Sequence, residues 1–299
     1  MAKFSVIVSV YAINDGLNKC IDSILKQTYN DYEIIVVTNG NMPDVKTKVS
    51  EDYNEYLDKI KIINGKSKNY LSIKSKAITK ASGDYILFIN SEDYIEKGLL
   101  KVLSSKLKDS PDIIRFQVKE IHDDKICMNR ELPFETVSGN IAFKKMNKYR
   151  YIDNIEFYLF RKKFINVLYK NKLKHIIDDF FALGSFLILQ ADKVKSIGYV
   201  GYVTSKDNNI SSNLLRQYKD SKKHLLAFDS KNIDTWNGHV ADVLLKKSTY
   251  LNGKDYRKYL DSLRKNKIFD LIQMNFFNKW IMCSYPKLYY KLKKIKYSK

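Results

Sequence analysis

Apolar residues are spaced along the first third of this chain in two alternating rhythms. Phe4 to Val10 (FSVIVSV) is a continuous β-branched run, and Glu33 to Val37 (EIIVV), Lys61 to Ile63 (KII) and Tyr85 to Ile89 (YILFI) are three more. Short unbroken runs of this kind predict strands buried on both faces of a parallel sheet. Between them the spacing changes to that of a helix. Leu17, Cys20, Ile21, Ile24, Leu25 and Thr28 share one helical face, and helices are predicted over Val45 to Tyr56 and Ser72 to Ala81, with another beginning near Lys97. Strands that alternate with helices in this way imply right-handed crossovers and a mainly parallel sheet flanked by helices. The loops after Val10, Val37 and Ile89 then converge on one rim, where open α/β sheets place their ligands.

Polar residues sharpen the picture at the end of the fourth run. Asn90, Ser91, Glu92 and Asp93 follow Ile89 directly. A carboxylate pair at a strand end can hold a divalent cation, and the cation can hold a diphosphate. The same acids also suit a solvated turn or the cap of the following helix.

The ordered blocks SVIVSVY, CIDSILKQTYNDYEIIVV and ASGDYILFINSEDYI resemble the family 2 glycosyltransferases with a GT-A fold, and they cover about the first 95 residues. The resemblance implies sugar transfer from a nucleotide diphosphate donor, a UDP-sugar first among them, to an acceptor hydroxyl with inversion at the anomeric carbon. It also implies a divalent metal, Mn2+ or Mg2+, at Glu92 and Asp93. Donor contacts are implied at Val10, Tyr11, Thr38, Asn39, Lys74, Asn90 and Ser91. A fourth block, His175 to Leu183 (HIIDDFFAL), resembles the family's acidic pair, with Asp178 in the first position and Asp179 in that of the catalytic base. An inverting displacement needs one carboxylate to take the acceptor proton. Either acid can instead cap a helix running from Phe180 to Gln190. Tyr202 to Asn213 resembles the segment that closes these domains over the donor, and a polar stretch of this kind also reads as a plain loop.

Three positions depart from the family pattern, and all three touch the donor. Asn90 and Glu92 stand where an Asp-x-Asp element is usual, Thr38 and Asn39 where two Asp precede a Gly, and Lys74 and Ser75 where Arg and Asn are common. An amide still hydrogen-bonds a ribose and Glu still ligates a metal. Lys74 keeps a charge for the diphosphate without the bidentate fork of Arg. The same departures motivate a second reading, a catalytically silent relative that serves as a membrane-associated binding or scaffold module.

Composition adds an anionic partner. Among 299 residues, 53 basic against 33 acidic give a net charge of +20. The carboxyl-terminal stretch is the most polarised, with Lys287, Lys291, Lys293, Lys294, Lys296 and Lys299 interleaved with Leu288, Leu292, Ile295 and several Tyr. Such a segment suits an anionic membrane surface, and a solvated Lys-rich tail is the plainer alternative. No nucleic-acid recognition module is visible. Cys20, Cys127 and Cys283 are too few and too dispersed for a disulfide framework, and Cys20 reads as a buried core thiol. No apolar stretch is long enough to span a bilayer and no leader pattern precedes the first strand, which points to the cytoplasm, at the inner face of the plasma membrane. The expected organisation is a catalytic domain over residues 1–215, split at 95 into donor and acceptor halves, and a helical basic region over 216–299.

Overall fold

The computed structural model describes residues 3–11, 15–38, 42–64, 70–122, 125–128, 132–146, 154–171, 183–204, 233–248, 253–271, 282 and 284–289. The chain divides into two compact units, Met1–Asn209 and Ile210–Lys299.

The first unit opens with β1 (Phe4–Val10), α1 (Gly16–Leu25), β2 (Tyr32–Thr38), α2 (Pro43–Asp52), β3 (Ile60–Asn64), α3 (Tyr70–Lys80) and β4 (Tyr85–Asn90). These match the elements expected from the apolar pattern, except that the second helix stops at Asp52 and continues as a 3-10 turn, Asn54–Tyr56. Strands β3, β2, β1 and β4 lie side by side and parallel. Every residue of β1 and β2 is buried, which is why both read as unbroken apolar runs. Leu17, Cys20, Ile21 and Ile24 of α1 belong to one buried apolar cluster with Val6, Val8, Val10, Leu87 and Ile89. Each fully buried aliphatic side chain there stabilises the fold by about 1.5–3 kcal/mol.

Beyond β4 the sheet becomes mixed. The next elements are β5 (Tyr94–Ile95), α4 (Leu99–Ser105), β6 (Ile113–His122), β7 (Lys125–Met128), β8 (Phe134–Val137), α5 (Gly139–Met146), β9 (Tyr158–Arg161), α6 (Lys162–Asn171), α7 (Leu183–Gln190) and β10 (Val194–Thr204). The order across the sheet is β3-β2-β1-β4-β9-β6-β10-β5, with β7 on β6 and β8 on β10. Strand β9 is antiparallel to both β4 and β6, so β6 and β10 point the same way as β1 to β4. Their carboxyl ends therefore add to the same rim. Of the stretch Tyr202 to Asn213, expected as a segment closing over the donor or as a plain loop, Tyr202 to Thr204 are the end of β10, with Tyr202 fully buried, and residues 205–213 lie outside the described residues. The helix expected over Phe180 to Gln190 is seen from Leu183.

The second unit contains α8 (Ile233–Ser248), α9 (Gly253–Lys265) and a 3-10 turn, Ile268–Leu271. Among its described residues Asn237, Val240, Ala241, Leu244, Leu245, Leu260, Leu263, Ile268 and Met282 are buried, and Tyr259 donates its hydroxyl to the Leu244 carbonyl at 3.1 Å. Among the described residues no helix is long and apolar enough to cross a membrane.

Candidate active site

Three strand ends build the floor of the rim. Val10 of β1 faces Thr38 of β2 in the ladder, and Ser9 faces Asn90 of β4. The Ser91 N–H donates to the Ser9 carbonyl at 3.0 Å, extending the β1–β4 pairing one residue past β4. Val10, Thr38 and Ser91 are buried, and Tyr11 is partly exposed above them. Asn39 lies outside the described residues.

Asn90 to Asp93 form a tight turn, closed by the Asp93 N–H on the Asn90 carbonyl at 3.0 Å. Its two acids part company. Glu92 is exposed on the rim, whereas Asp93 is only 2 % exposed. The Tyr202 hydroxyl donates to Asp93 Oδ2 at 2.8 Å, and the Asn90 side-chain amide reaches the same oxygen at 3.3 Å. The Tyr202 oxygen in turn accepts the Asn90 backbone N–H at 3.2 Å. Burial and the neighbouring Asp93 and Glu156 carboxylates push the Tyr202 hydroxyl well above its ordinary pKa, so it remains a donor. From the α1 side, the Cys20 thiol contacts the Asn90 carbonyl at 3.6 Å. Burial, with Asp93 nearby, pushes that thiol up and leaves it an inert core group, as the sequence suggests.

Lys74 is where the structure departs furthest from expectation. It does not rise to the rim. Its side chain is 1 % exposed, and the ammonium donates to Glu156 Oε1 at 3.0 Å and sits 4.6 Å from the Phe88 ring centroid. Glu156 belongs to the 3-10 turn Ile155–Phe157 that leads into β9. Sequence reading passed over Glu156 and took Tyr202 only as the start of the segment Tyr202 to Asn213. Glu156 carried a signal, being an acid inside the apolar run IEFYLF, where a buried charge demands a partner. Tyr202 carried none.

The residues fit a metal in one respect and not in another. Glu92 offers an exposed carboxylate at the strand end, and a divalent ion on a diphosphate takes as few as one or two protein carboxylates. Asp93 is engaged by Tyr202 and Asn90 and faces inward. No cluster of three or more His, Cys, Asp or Glu is present among the described residues. Asp178 and Asp179 fall outside them.

Comparison with known proteins decides the family. The family model "Glycosyl transferase family 2" matches residues 5–191. The chain belongs to that family. Within it, the chain is 26 % identical over 216 residues to the uncharacterized glycosyltransferase EpsJ of Bacillus subtilis, a match spanning 69 % of this chain and 61 % of EpsJ. It is 30 % identical over 125 residues to the poly(ribitol-phosphate) beta-glucosyltransferase of Bacillus spizizenii, spanning 40 % of this chain and 20 % of that protein. The chain thus covers less than two thirds of the length of these relatives. The crystal structure of S. aureus TarS 1-349 in complex with UDP-GlcNAc superposes with a TM-score of 0.65 at 16 % identity, covering 91 % of this chain and 82 % of that one. That likeness shows the fold, and it is the GT-A fold expected for a family 2 chain.

Proposed function

We propose that this family 2 chain transfers a sugar from a nucleoside diphosphate donor to a hydroxyl of a glycan or lipid-linked acceptor in bacterial cell-surface polysaccharide or lipooligosaccharide synthesis, with inversion at the anomeric carbon. One observation supports this above the others: Val10, Thr38 and Asn90 stand side by side at the carboxyl ends of parallel strands, with Glu92 exposed on the turn beside them. A rim of that construction receives a nucleotide beyond the carboxyl ends of its strands. Tyr11, Thr38 and Asn39 take the nucleoside, and Glu92 holds a divalent ion against the diphosphate. Such an ion, when bound, neutralises the departing diphosphate. The names of the Bacillus spizizenii enzyme and of the TarS complex favour a UDP-sugar and a cell-surface acceptor.

Asp179 is the proposed base, accepting the acceptor proton, with Asp178 beside it. The basic carboxyl-terminal stretch brings this machinery to the anionic inner face of the plasma membrane.

A thermal-shift screen against UDP, GDP, CDP and dTDP, each with and without Mn2+, tests the reading, because a ligand that binds the native state raises its stability. One nucleotide should raise Tm, and raise it further with Mn2+. Absence of any shift, together with no hydrolysis of the matching nucleotide sugars, would sink the enzyme reading. Co-sedimentation with anionic and neutral vesicles tests the membrane arm, with binding expected to the anionic set alone.

A further inference from the structure

The buried side of the Asn90–Asp93 turn carries a circuit of hydrogen bonds through one Asp93 oxygen. Asp93 Oδ2 accepts from Tyr202 at 2.8 Å and from the Asn90 amide at 3.3 Å, and the Tyr202 oxygen accepts the Asn90 N–H at 3.2 Å. A carboxylate accepts and never donates, so both groups facing that oxygen have to be donors. This orients the Asn90 side chain with its NH2 inward. Two donors on Oδ2 offset part of the cost of burying that charge, and an acid at position 90 would set a second acceptor-only group against the first.

We propose that Asn90 and Tyr202 are positioning residues: acting through the buried Asp93 carboxylate, they fix the turn that presents Glu92, and position 90 of this chain has to be an amide. Asn90 is then a fitted donor rather than a degraded acid. Tyr202 is held for the task by packing edge-on against Phe157, with ring centroids 5.1 Å apart, and by backbone pairing of Tyr202 and Val203 with Ile95 and Tyr94. Both flanks of the turn are thus fastened, by β1 before it and β10 after it. What Glu92 meets rests on the proposed function; the hydrogen-bond circuit does not.

Three variants of the full chain test it: Asn90→Asp, Tyr202→Phe, and the exchange Asn90→Asp with Asp93→Asn. Each is followed by ligand-free thermal unfolding and by calorimetric titration with UDP, with and without Mn2+. Asn90→Asp should lower Tm by several degrees and weaken Mn2+-dependent UDP binding about tenfold, the scale of one lost hydrogen bond to a charged group. The exchange again sets an amide donor against an acid, and should restore both. Tyr202→Phe keeps the ring and loses the donor, and should also weaken Mn2+-dependent binding about tenfold. Parental Tm and affinity in Asn90→Asp, or an exchange as impaired as Asn90→Asp, would overturn the proposal. So would a Tm loss in Tyr202→Phe that leaves the Mn2+-dependent affinity where it was, since that is the behaviour of a packing residue. A parent that binds no nucleoside diphosphate would instead count against the proposed function, and the ligand-free loss and rescue of Tm would still decide the circuit.

Discussion

Lys74 and Glu156, 82 residues apart in sequence, meet at 3.0 Å inside the protein and join α3 to the turn that starts β9. Such a pair is costly to desolvate and costlier to break. Glu156→Gln should destabilise the fold by about 3–5 kcal/mol, because the ammonium stays buried against Phe88. Replacing both partners, Lys74→Met with Glu156→Leu, should cost far less. Urea unfolding of the three proteins checks this, and a Glu156→Gln variant of parental stability would show that the pair does not hold α3 to the β9 turn.

A second buried acid gives a pH signature. Glu33 accepts hydrogen bonds from Ser5, Ser82 and Lys61. Burial alone would raise its pKa, but those hydrogen bonds outweigh it and hold the carboxyl down at about 2, against an ordinary 4.5. A depressed folded-state pKa contributes stability that is fully present above the unfolded value and is lost as pH falls through the folded one. Glu33→Gln should therefore be less stable than the parent at pH 6, with the difference shrinking between pH 4.5 and 2. Denaturant midpoints across that range measure it; a constant gap would mean that the contribution is not the carboxylate's charge.

Gly83 sits in the same network, its N–H donating to Ser5 Oγ at 2.8 Å. A Cβ there would lie 2.6 Å from the Ser5 backbone nitrogen and 2.7 Å from the Phe4 carbonyl carbon. Backbone cannot swing aside as a side chain can. Gly83→Ala should lower stability by about 1–3 kcal/mol by forcing β4 and β1 apart, and a denaturant curve at neutral pH reads it.

Glu92→Ala separates stability from ligand binding. The side chain is exposed, so unfolding should stay within about 0.5 kcal/mol of the parent. The gain in nucleoside diphosphate affinity on adding Mn2+ should vanish. A variant that keeps that gain would place the metal elsewhere.

Asp179→Asn probes the chemical step. Donor affinity should stay close to the parent's while turnover falls by about two to four orders of magnitude, the usual contribution of a positioned base. Single-turnover kinetics beside equilibrium binding distinguishes this from a binding defect.

The elements up to Asn90 were legible because β1, β2 and β4 are covered on both faces and the helices on one, so burial writes itself directly into the apolar pattern. The helix expected near Lys97 is present as α4, but from Lys119 to Asn171 the pattern fails for a physical reason. Strands β7, β8 and β9 have four residues each, too short to reveal a period, and the slot of β9 between β4 and β6 is set by pairing rather than by its own sequence. The site divides the same way. Asn90, Ser91 and Glu92 announce themselves at a strand end. That Asp93 turns inward and Lys74 turns downward follows from Tyr202 and Glu156, 109 and 82 residues downstream, which no local rule connects to them.

The fastening of the Asn90–Asp93 turn by β10 also sets an order of events during synthesis. Residues near the amino terminus leave the ribosome first and can pair β1 with β2 and β4 early, but the Tyr202 hydroxyl and the strand that carries it emerge more than a hundred residues later. Until they dock, Asp93 has lost one of its donors and the turn its second flank. A nascent chain halted anywhere before Val203 therefore holds most of the parallel sheet and an unfinished turn at its rim, so the geometry that presents Glu92 is complete only when the first unit nearly is.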